Sequence, residues 1–128
     1  MKGKHLSGFL LVLILVAGAL LFIKQYRDNS TGDPFGFDRH RGPLTYTHHA
    51  KCRMACRHID ESEIKDILYN GKINYAKSEP DAKPDPKFAL EGLTHDKQQV
   101  RVIFAPTDRG MVVITCIDLN TKWQCDCK

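Results

Sequence analysis

The sequence has no Gly-rich loop to cradle a phosphate, no nucleophile that spacing sets beside a base, and no C-x₂-C pair of the common zinc spacing. It also lacks the broad basic face of a nucleic-acid-binding domain. From Leu44 to Lys128 there are 13 Lys/Arg against 12 Asp/Glu, a net +1, although the whole chain carries +4. The excess lies in the first 43 residues. No cysteine stands at the edge of the N-terminal apolar run, which excludes a lipoprotein signal. What remains is a chain of 128 residues, enough for one small domain and an N-terminal extension.

Residues 1–5 form a basic flank with Lys2, Lys4 and His5, and residues 6–23 are uncharged and mostly apolar. As a helix these 18 residues span roughly 27 Å, close to a bilayer's hydrocarbon core. Ala17-Gly18-Ala19 has the small-x-small form of a signal-peptide cleavage site. Because Leu20 to Ile23 continue the apolar run past that site, the reading is a retained transmembrane anchor, with a cleaved signal peptide as the alternative. The five cysteines favour an oxidising compartment and so place the domain outside the cytoplasm, periplasmic or extracellular. Residues 24–43, with three Gly and two Pro, read as a flexible linker. Within it, Asn29-Ser30-Thr31 matches a glycosylation acceptor, a pattern common by chance.

Residues 44–128 read as an α+β domain with a cysteine-containing C-terminal tail. Thr47 can cap a first helix. Asp60 and Glu63 form the capping box of a second, with Ile59 and Ile64 at the staple positions. Asn70-Gly71 ends that helix with a residue that tolerates positive φ. Residues 72–78 alternate as a strand, the three prolines of 79–86 make a loop, and 88–93, 99–105 and 111–118 are further strands. Hairpins centred near Asp96 and Asp108 set Phe88 opposite Phe104, Leu90 opposite Val102, Phe104 opposite Val112 and Val102 opposite Ile114. The expected architecture is two helices on one face of an antiparallel sheet of about four strands.

Thr47 to Ile59 concentrates the chemistry. On a helical wheel, Cys52, Ala55, Cys56 and Ile59 make one apolar arc, and Ala50 and Met54 a second. His49, Arg53 and Arg57 form a polar stripe between them, either simply solvated or offering cations to an anion. On the sheet the same register groups Glu91, Arg101 and Thr115. That group is either a cross-strand ion pair or a general base beside a phosphate clamp. Cys52 and Cys56 lie one helical turn apart, and Cys125 and Cys127 share one side of an extended tail. If the tail folds back, the four form one or two disulfides, stay as free thiols, or hold zinc. Cys116, in an apolar strand, reads as a small core residue.

His49-Ala50, Arg53-Met54, Arg57, Ile59, Asn70-Gly71, Tyr75 to Ser78, Ala89 to Gly92, Val100 to Ala105 and Val113 to Leu119 together resemble domain-of-unknown-function family 4258 over about residues 44–119. Trp123, Cys125, Asp126 and Cys127 look like the tail of a membrane-anchored, cysteine-rich branch of that family. The resemblance implies a fold related to barnase and RelE-type ribonuclease toxins, with family positions at His49, Arg53 and Arg57 and fold-level analogues at Glu91 and Arg101. The leading expectation is a membrane-tethered binding or structural module with no cofactor. Two alternatives stand beside it: a ribonuclease-like enzyme using His49, Arg53, Arg57, Glu91 and Arg101, and a thiol redox or zinc module on the four cysteines. The expected partners are the lipid bilayer through residues 6–23, and nucleic acid only under the ribonuclease reading. The protein is expected to be a monomer.

Overall fold

A computed structural model of the protein describes residues 4–30 and 33–128, which divide into two units at Gly36/Phe37. Residues 1–3 of the basic flank and residues 31–32, with the last position of the glycosylation triplet, lie outside the described residues.

The first unit is helix α1 (Lys4–Ser30), long because its apolar run contains neither proline nor charge from Leu6 to Ile23. Its segment Ser7–Gln25, 19 residues with a mean hydropathy of 2.4, is wholly unburied. By length and composition it is apolar enough to serve as a membrane anchor or a signal sequence.

The second unit starts earlier than the sequence pattern suggests. Residues 37–43, expected within the linker, belong to it, and Phe37 is buried against Phe88 with ring centroids 4.6 Å apart. Arg39 adds a hydrogen bond to the Leu68 carbonyl at 2.7 Å. The elements then follow in the order β1 (Leu44–Tyr46), α2 (His48–Arg57), α3 (Glu61–Asn70), β2 (Lys72–Ile73), a 3₁₀ turn (Tyr75–Lys77), β3 (Phe88–Leu93), β4 (Gln99–Thr107) and β5 (Gly110–Asp118).

The sheet has five strands rather than four and is mixed rather than antiparallel, in the order β1-β5-β4-β3-β2. The added strand is β1, parallel to β5 with Leu44 opposite Met111 and Tyr46 opposite Val113. Its entry requires a glycine at the β4–β5 turn. Gly110 has φ +136°, and a Cβ there would lie 2.4 Å from the Pro43 carbonyl oxygen. At the other edge, the strand expected over residues 72–78 stops at Ile73. Side chains take over its backbone partners: the Ser78 hydroxyl donates to the Asn74 carbonyl at 2.7 Å and accepts from the Ala89 amide at 2.9 Å.

The β3–β4 register is the expected one, with Phe88 opposite Phe104 and Leu90 opposite Val102. The β4–β5 register is not. Phe104 faces Val113, because the turn is centred between Asp108 and Arg109 with Thr107 opposite Gly110. Val102 faces Cys116, because the pairing shifts once more between Ile103 and Phe104 and leaves Ile114 as the extra residue of a bulge. Val113 and Cys116 therefore both point inward, where the simple register had placed Val112 and Ile114. The inner face, Phe88, Leu90, Val102, Phe104, Val113 and Cys116, closes against Ala50 and Met54 of α2 and Ile64, Ile67 and Leu68 of α3. Each large apolar side chain so buried contributes about 1.5–3 kcal/mol relative to exposure.

Both helix starts follow the expected chemistry. Asp60 and Glu63 form the reciprocal capping box, and Glu63 also accepts from the His95 amide at 3.0 Å, tying α3 to the β3–β4 turn. Ile59 and Ile64, the staple positions, are both buried. Gly71 differs in its reason. Its φ of −67° is ordinary, but a Cβ would lie 2.4 Å from the Ile67 carbonyl oxygen, so it is close packing that requires glycine. Thr47 does double duty. Its hydroxyl accepts from the Ala50 amide at 3.0 Å as the α2 cap and donates to the bulged Ile114 carbonyl at 2.9 Å.

Thr47→Ala removes both bonds and leaves a sheet carbonyl unpaired, and should lower stability by about 1–3 kcal/mol. Thr47→Ser keeps both and should retain most of the stability. Urea denaturation of the two variants, read at an unchanged m-value, measures the difference.

Candidate functional site

α2 carries the side chains that the sequence singled out, and the structure sorts them by what covers each part of the helix. Ala50, Met54 and Arg57 are buried against the sheet. Cys52 and Cys56 face the C-terminal tail, and His49 and Arg53 lie half-buried between these two regions. Ala55, which shares an arc with the cysteines on the wheel, is exposed.

The tail runs antiparallel to α2, with disulfides Cys52–Cys127 and Cys56–Cys125 at Cα separations of 5.7 and 5.9 Å. The unusual spacing has a geometric reason. Four residues of helix rise about 6 Å, and two residues of extended chain advance about 6.6 Å, so C-x₃-C and C-x-C meet rung to rung. Bonded to each other, these sulfurs are not thiolate ligands, and among the described residues no cluster of His, Cys, Asp or Glu is arranged for a metal ion. The fifth cysteine, Cys116, is buried and free. Burial pushes its thiol up to about 11, against the opposing pull of the Arg57 and Arg53 charges.

Asp118, Gln98 and Trp123 prepare the tail's approach, and the sequence pattern gave them no role in a site. The buried Asp118 carboxylate accepts from Trp123 Nε1 at 2.9 Å, Gln98 Nε2 at 3.3 Å, and the amides of Asn120 and Thr121 at 2.9 and 3.0 Å. Burial alone would raise its pKa, but these donors outweigh it and hold the carboxyl below its usual value. The Trp123 ring also meets His58 edge-on, with centroids 5.5 Å apart. Asp-x-Asn directly after a strand is an Asx-turn signal that marks the start of such a tail.

Arg57 is 7% exposed, and its Nη1 donates to the Cys116 carbonyl. The Nε atoms of both Arg53 and Arg57 are buried without a hydrogen-bond partner. Among the described residues, neither guanidinium has a carboxylate partner.

Glu91 and Arg101 stand elsewhere. They are opposite each other in the register, as expected, with Arg101 Nε 2.7 Å from Glu91 Oε1. Thr115 does not join them: past the bulge, Arg101 faces Ile117, and Thr115 faces Ile103. Their neighbours Leu90 and Val102 point into the helix-covered core, so by alternation Glu91 and Arg101 project from the opposite face of the sheet. The five residues of the ribonuclease reading are thus divided between two faces. On the outer face, Glu91 borders an open hollow of about 280 Å³ lined by Lys72, Ile73, Asn74 and Tyr75. The Asn74 amide, donating at 2.9 Å, is the main cause that holds the Glu91 carboxyl below its usual range. Burial opposes it, and Arg101 and then Lys72 add to it. Such a carboxylate is an anion and ion-pair partner rather than a base poised near neutrality.

Residues 46–118 match the family described as Domain of unknown function (DUF4258). No curated protein and no solved structure matches the chain.

The two bridges should be strongly non-additive. The first closes a loop of about 70 residues, worth about 4 kcal/mol in the chain-entropy view, and the second then closes a ring of only a few residues, worth about 2 kcal/mol. Replacing either cysteine pair by alanine should therefore lower stability by about 2 kcal/mol, and replacing both pairs by about 6 kcal/mol. Denaturant unfolding of the three variants tests this.

Glu91 makes a pH-dependent contribution. Its folded pKa is lowered, so its stabilisation is fully present above the ordinary carboxylate range and is lost as pH falls through the folded value. The stability gap between wild type and Glu91→Gln should be largest near neutral pH and shrink on acidification, as measured by denaturation across the acid range.

Proposed function

The chain belongs to the DUF4258 family, and from that premise we propose that it is an extracytoplasmic binding module, held at the membrane by α1. The observation that carries this reading is the seam between α2 and the tail. Two disulfides, which fit a non-cytoplasmic compartment, fasten the tail beside a helix stripe whose arginines have no carboxylate partner among the described residues. A catalytic centre needs its acid, base and charge stabiliser within reach of one reacting atom. His49 and Arg53 lie on the helix-covered side, whereas Glu91 and Arg101 are bonded to each other on the far side. That division supports recognition over turnover.

A ribonuclease-like enzyme of the barnase and RelE type is the second reading. The order of helices before an open sheet, and a carboxylate beside a guanidinium on the uncovered face, favour it. The zinc reading requires the four cysteines in reduced form, and the thiol redox reading requires them to cycle between disulfide and thiol.

The test uses the full chain in its own membranes. The proposal expects the protein to resist alkaline extraction, to be digested by protease added to the non-cytoplasmic side, and to leave RNA intact. RNA cleavage that disappears in Glu91→Gln would replace it with the ribonuclease reading. Alkaline release of the full-length chain would overturn the tether.

A further inference from the structure

Arg57 is a nearly fully buried cation whose partners, the carbonyl and the thiol of Cys116, are both neutral. Taking a guanidinium out of water is unfavourable unless a counter-charge and hydrogen-bond acceptors replace the solvent. Proteins usually supply a carboxylate, and among the described residues none pairs with Arg57. Asp118, which Gln98 links to the C-terminal end of α2, already accepts from four donors. Asp126, on the tail, lies between Cys125 and Cys127 in sequence and is exposed. At the start of α3, Glu63 is bonded to the amides of Asp60 and His95, and Asp60 to the Ser62 hydroxyl and the Glu63 amide.

The second guanidinium lies close by. Arg53 is one helical turn before Arg57 on the same stripe of α2, and the charges of both oppose the effect of burial on the Cys116 thiol. Each has a buried Nε that lacks an acceptor. Arg53 remains half-exposed, which keeps the pair open to solvent on one side. His49, one further turn away along the same stripe, is also half-buried. Two guanidiniums one helical turn apart, each with an Nε–H that lacks an acceptor and, among the described residues, no carboxylate partner, have the charge and the donors to hold a tetrahedral dianion.

We propose that Arg53 and Arg57, at the junction of α2, β5 and the disulfide-bound tail, form a binding site for a phosphate-type oxyanion, either free phosphate or a terminal phosphate monoester on a small molecule. The site deepens the binding-module reading and rests on it for its biological sense. Arg57 supplies the fixed, buried charge, Arg53 closes over the anion from the open side, and His49 contributes at the rim. The two disulfides keep the tail beside the pair.

The full-length oxidised protein, in neutral detergent and phosphate-free buffer, is titrated with inorganic phosphate and, separately, with acetate. Calorimetry reads the affinity, and the arginine ¹⁵Nε resonances read the contact. Glycerol phosphate is titrated as the simplest monoester and separates that source from free phosphate. One saturable site is expected, with phosphate or its monoester bound at least tenfold more tightly than acetate, and with the Nε signals of Arg53 and Arg57 shifting together. Arg53→Gln should weaken binding at least tenfold, and Arg53→Lys less than Gln. Because Arg53 is half-exposed, this variant tests the site even if Arg57 substitutions fail to fold. No saturable binding, equal affinity for acetate, or binding unchanged in Arg53→Gln would each overturn the site. If phosphate fails to bind while membrane attachment and intact RNA hold, the site falls and the binding-module reading stands. If phosphate binds as expected and RNA is cleaved, the site stands and that reading falls.

Discussion

The edge of β5 is the constraint on which the domain depends. β1 pairs with β5 for only three residues, from Met111 to Val113, and the carbonyls beyond, covered by α2, need donors. α2 provides them in sequence. The Thr47 amide donates to the Val113 carbonyl at 3.1 Å, the Thr47 hydroxyl to Ile114, and Arg57 to Cys116. A helix thus finishes the edge that a strand began, with a cap at one end and an arginine at the other. The bulge at Ile114 belongs to this arrangement, since it turns a carbonyl to the cap and brings both Val113 and Cys116 inward.

That solution places a buried cation in the domain and explains the use of the tail. A small domain has little core to spare, and a chain end laid over a helix has few apolar contacts to hold it. Here Asp118 starts the tail with four accepted hydrogen bonds, Trp123 packs on His58, and two disulfides complete the attachment. The cross-links confine the side of α2 that carries Arg53, while the opposite face of the sheet keeps an independent ion pair beside its own shallow hollow. One domain therefore carries two unlike arrangements, guanidiniums that lack a carboxylate partner among the described residues and, on the far face of the sheet, a guanidinium bonded to one.

Some of this was legible because it depends on local rules. The capping box at Asp60 and Glu63, the Thr47 cap and the β3–β4 register, including Glu91 opposite Arg101, follow from short-range hydrogen bonding and the two-residue alternation of a strand. Thr115 was misplaced because the turn centre, between Asp108 and Arg109, and the bulge at Ile114 each shift the pairing by one residue. Together they set Ile117 opposite Arg101 while Thr115 keeps its face of the sheet, and nothing in an apolar strand marks either shift. Tyr75 left the expected strand because Ser78 offered the backbone a competing partner. Residues 37–43 were read as linker for their composition, yet one phenylalanine docked on Phe88 draws them into the domain.

By itself, the sequence determined the apolar N-terminal helix, the α+β class, the family, and that four cysteines could meet if the tail folded back. These are properties of composition, period and spacing, which a chain carries before it folds. Only the tertiary structure decided which cysteine pairs with which, that β1 joins the sheet in parallel, and that His49 and Arg53 lie across the sheet from Glu91. Those outcomes depend on contacts between residues about 70 positions apart, where the cost of closing the chain is met by the whole core at once.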